Sequence, residues 1–204
     1  MDGLREKKKK EREERIFTAA IQLFNRKGFS QTTMKDIAQM SRLGVGTLYN
    51  YFPSKNDLLL EIMEKKLDQM ENESQNFIEK LLQSKDNGVS ILKKFIDYYL
   101  NYFFMLNKDI WNEAFMAFFS SSSYIQRGMR MDMRIISDLQ NLLDKLQKKG
   151  LIASDVDTES ASFIIYSTLA FQFMGFILFP DMKKEQFYQN LYSQLDLIYK
   201  GIKP

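Results

Sequence analysis

Apolar positions along this chain recur at helical spacing from end to end. Ile16, Ala19, Ala20, Leu23 and Phe24 stand at i, i+3, i+4, i+7 and i+8, and the pattern stops at Arg26-Lys27-Gly28, a cationic last turn before a glycine cap. Thr33 precedes Met34, Ile37 and Ala38, with Asp36 placed to complete a capping box, so a short helix starts at Thr33. Ser41-Arg42-Leu43-Gly44 interrupts the period. A second short helix then runs from about Val45 to Pro53, which biases Phe52 away from helical geometry. Ser54 and Asp57 repeat the capping pattern ahead of Leu58, Leu59, Ile62, Met63, Leu67 and Met70. Beyond the break at Ser84–Gly88, further breaks imply helices over 88–106, 109–120, 124–149, 157–179 and 183–201. No strand alternation or internal repeat emerges, and the fold class is all-α.

The helix after Gly44 divides its residues unusually. Leu48 and Phe52 are four apart and can anchor one side to a core, with Leu43 beside them in the turn. Gly46 leaves one point bare, so backbone can approach a partner closely. Thr47, Tyr49, Asn50 and Tyr51 can reach phosphates, base edges or thymine methyls. Two short helices around a tight turn, the second polar and aromatic, form the pattern of a DNA-reading helix-turn-helix. The spacing of Val45 to Leu48 suits a core.

The run Thr33, Ile37-Ala38, Gly46-Thr47-Leu48-Tyr49-Asn50-Tyr51-Phe52 and Pro53-Ser54-Lys55 resembles the N-terminal domain of the TetR/AcrR family of one-component regulators over about residues 10 to 65. The resemblance implies an N-terminal three-helix DNA-binding domain (1–53) followed by a helical effector-binding and dimerisation bundle (54–204). It further implies a homodimer with one recognition helix per major groove, phosphates held by Thr33, Tyr49 and Lys55, and repression relieved by a small ligand. Val45 thereby has two readings, because the resemblance places it toward DNA, against a thymine methyl, rather than in a core. Two positions depart from the family pattern. Arg42 stands where the turn commonly has glycine, and a left-handed backbone there costs roughly 1 kcal/mol unless the guanidinium gains a phosphate. Gly44 stands where the cap is commonly serine, leaving only backbone for a contact. The candidate DNA-binding set is Thr33, Arg42, Gly44, Val45, Gly46, Thr47, Tyr49, Asn50, Tyr51 and Lys55.

Charge sharpens this division. Residues 1–60 hold 12 Lys/Arg against 7 Asp/Glu, net +5, leaving 17 against 19, net −2, for the rest of the 204 residues. The positive field thus belongs to the helix-turn-helix end, where it favours phosphate encounter. In the segment from Arg5 to Arg15, Glu6 to Lys10 and Glu11 to Arg15 are favourable i, i+4 pairs of a solvated helix front, and Lys7, Lys8, Lys9 and Lys10 can also lie along phosphates. The chain is 45% hydrophobic and 14% aromatic, ample for a core. It has no cysteine and no histidine, which removes thiolate and imidazole nucleophiles, bases and metal ligands. No recognisable catalytic set or Gly-rich phosphate loop remains, so an enzyme is the weakest reading, and neither metal nor cofactor is expected. No apolar secretory segment opens the chain. The apolar stretch around Phe163–Pro180 is interrupted by Tyr166, Ser167, Thr168 and Gln172, so a cytoplasmic protein without a membrane span is expected.

The second part is rich in Met and aromatics, which suit a cavity for a bulky apolar effector. The candidate ligand set is Tyr99, Tyr102, Phe103, Trp111, Asn112, Glu113, Phe115, Met133, Tyr166 and Phe171. Glu113 facing an aromatic pocket would favour a cation; Arg127 or Arg130 there would favour a carboxylate or acyl thioester. Ala161, Ile164, Ile165, Leu169 and Phe176 with Leu191, Leu195 and Ile198 offer larger apolar faces than one chain covers, and the resemblance implies that the corresponding helices of two subunits pack into a four-helix interface, so a homodimer through the helices near 157–179 and 183–201 is expected on an inverted-repeat operator. A helical DNA-binding protein without an effector is the alternative, and lacks a substantial internal pocket.

Overall fold

The computed structural model describes residues 2–119 and 121–204. Among them are nine α-helices and no strand: α1 (Asp2–Lys27), α2 (Met34–Met40), α3 (Val45–Tyr51), α4 (Lys55–Gln83), α5 (Gly88–Phe103), α6 (Lys108–Phe118), α7 (Ser122–Lys148), α8 (Thr158–Leu178) and α9 (Lys184–Ile202). Helix starts follow side-chain caps. The hydroxyl of Thr33 accepts from the Asp36 N–H while the Asp36 carboxylate takes the Thr33 N–H, and at α4 the Ser54 hydroxyl accepts from the Asp57 N–H and donates to the Asp57 carboxylate. Asn87, Asn107 and Asp157 cap α5, α6 and α8. Helix α5 ends at Phe103, three residues before the expected 106, and Asn107 then opens α6.

The chain divides into two compact units, Met1–Lys66 with Met105–Tyr124, and Leu67–Phe104 with Ile125–Pro204. The division runs through α4, and the first unit takes in α6. In that unit Ile16, Ala20, Phe24, Ile37, Leu48, Phe52 and Leu58 are buried, with Phe17 against Phe52 (ring centroids 5.7 Å) and Phe24 against Phe29 (4.9 Å). Ile110, Trp111 and Ala114 of α6 are buried as well.

The second unit is a helical bundle with Phe95, Tyr99, Leu139, Leu142, Ile165, Leu191 and Leu195 in its core. Arg134 of α7 forks onto Glu71 (2.6 and 2.5 Å) and reaches Asp68 (2.7 Å), tying it to the second half of α4. The Tyr199 ring of α9 lies so close to Gly88 that a Cβ there would sit 2.1 Å from the phenolic oxygen. Helix α8 is long and apolar enough to cross a membrane by length and composition. In the bundle one side, Ala161, Ile165, Leu169, Phe173 and Ile177, is buried, and Gln172 donates to Gln194 of α9. The expected apolar face is therefore rotated. Ala161, Ile165, Leu169, Leu191 and Leu195 are interior, and Phe163, Ile164, Phe171 and Leu197 stand outside.

Candidate nucleic-acid interface

The turn between α2 and α3 is built by backbone bonds. The Leu43 N–H donates to the Ala38 carbonyl (2.9 Å) and the Arg42 N–H to that of Gln39 (3.2 Å), the six-to-one and five-to-two pair that ends a helix on a left-handed residue. That residue is Arg42, at φ 58°. The expected left-handed position is thus occupied by a side chain that gains no glycine relief. Ser41 is buried, its hydroxyl on the Ile37 carbonyl at 2.7 Å.

From this turn α3 projects with Leu48 fully buried beneath it and Phe52 closing its end. Val45 is 39% and Tyr49 49% exposed, which settles Val45 outward rather than into the core. Gly44 and Asn50 are exposed, and Thr47 and Tyr51 half-buried. A Cβ on Gly46 would meet nothing within 4 Å, and its φ is not left-handed. Nothing inside the protein requires glycine there. Gly44 caps α3 with extended backbone and no side-chain bond, and a Cβ there would meet only the Thr47 hydroxyl, at 3.6 Å.

Two expected phosphate ligands have other work. The Thr33 hydroxyl donates to Asp36 (2.7 Å), a carboxylate that also takes Lys27 (2.7 Å). Lys27 and Thr33 hold the Asp36 carboxyl well below the usual carboxylate range. Lys55 donates to the Phe29 carbonyl (2.5 Å) and the Thr32 carbonyl (2.8 Å) and lies 4.3 Å from the Phe29 ring centroid, while burial lowers its ammonium pKa. The geometry makes Lys55 a clamp on the α1–α2 loop. Sequence reasoning missed this, because acceptors on a distant loop leave no periodic signal. On α1, the anticipated Glu6–Lys10 and Glu11–Arg15 pairs do not close; Lys9 meets Glu13 at 4.0 Å instead.

The candidate effector residues separate. Trp111, Asn112, Glu113 and Phe115 lie on α6 in the first unit, where Glu113 accepts from the Ser30 hydroxyl at 2.6 Å. Asn112 is exposed. In the second unit Tyr99 is fully buried and donates to Asp138 (2.5 Å), and Tyr166 donates to Asp132. Tyr102 is buried, and Phe103 stacks toward Phe173 at 4.9 Å in an aromatic cluster with Phe104, Phe176 and Phe187. Met133 is exposed, and Phe171, 68% exposed, lines an outer apolar groove with Phe163, Ile164 and Leu197 rather than an interior site.

Residues 16–62 match the bacterial regulatory proteins of the tetR family. Among curated relatives, the transcriptional repressor KstR of Rhodococcus jostii is 33% identical over 75 residues, 37% of this chain and 35% of that protein. The uncharacterised transcriptional regulator YhgD of Bacillus subtilis is 26% identical over 76% of this chain and 78% of its own length. The chain spans less than half the length of the first curated relatives it matches. Among solved structures, the TetR-family repressor FadR of Thermus thermophilus, in complex with lauroyl-CoA, superposes with a TM-score of 0.68 at 22% identity, over 93% of this chain and 94% of that one.

Proposed function

We propose that this chain is a homodimeric transcriptional repressor released from an inverted-repeat operator by a hydrophobic small molecule, a reading supported by the match of residues 16–62 to the bacterial regulatory proteins of the tetR family. The observation that carries the DNA-reading role is α3 itself. It presents Val45, Tyr49 and Asn50 outward beside a Gly46 that no internal contact explains. A bare helix point is what a major-groove surface needs for close approach. Thr33, Arg42, Gly44, Thr47 and Tyr51 complete the proposed interface, with Lys55 positioning the loop beneath it.

Release is proposed to pass through the 105–124 segment. Three polar ties join it to the reading head within the first unit. The Asn25 side chain meets the Met105 carbonyl (3.4 Å) and the Asn107 N–H (3.3 Å), Ser30 meets Glu113, and Tyr124 donates to Asp57 at 3.1 Å. An effector that displaces α6 draws on the α1–α2 loop and the start of α4 together. A 100-fold release requires it to prefer the released state by about 2.7 kcal/mol.

Selection of bound duplexes from a random-sequence library tests the reading. The expected product is an inverted repeat whose affinity falls in Thr47→Ala/Tyr51→Ala while the oligomeric state holds. Unchanged affinity in that variant defeats the α3 assignment. Lauroyl-CoA, decyltrimethylammonium and neutral drugs, screened by thermal shift and then for operator release, address the effector class.

A further inference from the structure

The family match begins at Ile16, which is also the first buried one among the described side chains of α1. Helix α1 begins earlier, at Asp2, and from Glu6 to Arg15 no side chain is buried. Those ten residues span about 15 Å of helix that buries no side chain fully. Their charges are sorted by face. At 3.6 residues per turn, Lys8, Lys9, Arg12 and Arg15 fall within about 120° of the helix circumference, and Glu6, Glu11, Glu13 and Glu14 all fall outside that arc. Lys8, Arg12 and Arg15 form an i, i+4, i+7 stripe. Among the described residues no side-chain hydrogen bond or ion pair engages these three or Arg42.

The stripe leads to the reading head. Its next helical step, Ala19, is buried, and Arg15 and Ala19 line one open groove with Glu11, Glu14, Met40, Ser41 and Arg42, the last of the turn that launches α3. Arg15 of the stripe and Arg42 of the turn thus border one groove, which Glu11 and Glu14 also line.

The geometry points to a second DNA contact, resting on the DNA-binding reading above: the Lys8-Arg12-Arg15 face of the α1 extension binds duplex phosphates flanking the half-site read by α3. Sequence is not read there, so the contact adds affinity and salt dependence without changing base preference. Charge complementarity and continuity with the Arg42 turn select duplex DNA as the occupant.

Two full-length variants that remove equal charge test the face. Lys8→Gln/Arg12→Gln alters the stripe, and Lys7→Gln/Lys10→Gln alters the acidic side of the same helix. Each is titrated against the selected duplex across 50 to 300 mM salt, with flanks of ten base pairs and with flanks removed. The stripe variant removes two charges from each of two protomers and is expected to lower the slope of log affinity on log salt by about 3.6 on the flanked duplex, to leave it unchanged on the trimmed one, and to retain base preference. The control pair is expected to change the slope by well under half as much. Equal slopes in both variants, or no loss in the stripe variant, overturn the contact while leaving α3 in place. Failure of the unmodified protein to select any duplex defeats both readings.

Discussion

At Arg42 a backbone that turns left-handed carries a long side chain where glycine would be free of strain. Arg42→Gly is expected to hold or raise stability, by at most about 1 kcal/mol, and to weaken DNA binding. Unchanged affinity in a titration would leave the guanidinium with strain and no task. Gly46 poses the converse case. With nothing within 4 Å of its Cβ position, Gly46→Ala should fold as well or gain up to about 1 kcal/mol of helix stability, while operator affinity drops about tenfold. Retained affinity would mean that no partner approaches this point. The depressed Asp36 pKa sets a pH dependence. Its carboxylate contributes stability that is complete above the ordinary value near 4 and declines as pH falls below it toward the lower folded value. Unfolding curves of the protein and of Asp36→Asn should therefore lie further apart at pH 7 than at pH 3. Much of this residue-level detail was legible beforehand. The capping box and the bare Gly46 follow from local sequence chemistry, and the left-handed Arg42 from the resemblance, whose turn commonly has glycine there. Lys55 was not legible, because its acceptors lie more than twenty residues away in the chain.

Helices behaved similarly, as their ends carry signals and their faces often do not. Asn87, Asn107 and Asp157 mark starts that punctuation alone suggested. In α8 nearly every position is apolar, so periodicity fixed the helix but could not fix its rotation; hence the expected outer face proved partly interior. Close approach between elements is likewise invisible in sequence. Gly88 looked like part of a loop signal and instead admits the Tyr199 ring, whose hydroxyl continues to the Leu151 carbonyl at 2.6 Å. Gly88→Ala puts a Cβ within 2.1 Å of that hydroxyl and should cost about 1 to 3 kcal/mol as α5 and α9 shift apart. A chemical denaturation midpoint matching the unmodified protein would show that Tyr199 swings away freely.

On the scale of the whole molecule, exposed apolar surface bears on the proposed assembly. Phe163, Ile164, Phe171 and Leu197 line one groove on α8 and α9, with Phe171 68% and Leu197 70% exposed. Scattered apolar residues on a surface need no partner, but a contiguous set of four on two adjacent helices favours burial against a self-complementary copy. If the proposed dimer forms there and binds an inverted repeat as a pair, dimerisation and operator affinity should fail together. Phe171→Asp with Leu197→Asp places charges in that face without touching the interior. Sedimentation should then show monomers at micromolar concentration, and binding to the selected inverted repeat should fall by orders of magnitude while binding to an isolated half-site is nearly unchanged. A variant that remains dimeric would move the interface elsewhere. One that becomes monomeric yet binds the full repeat undiminished would remove the need for two-fold pairing altogether.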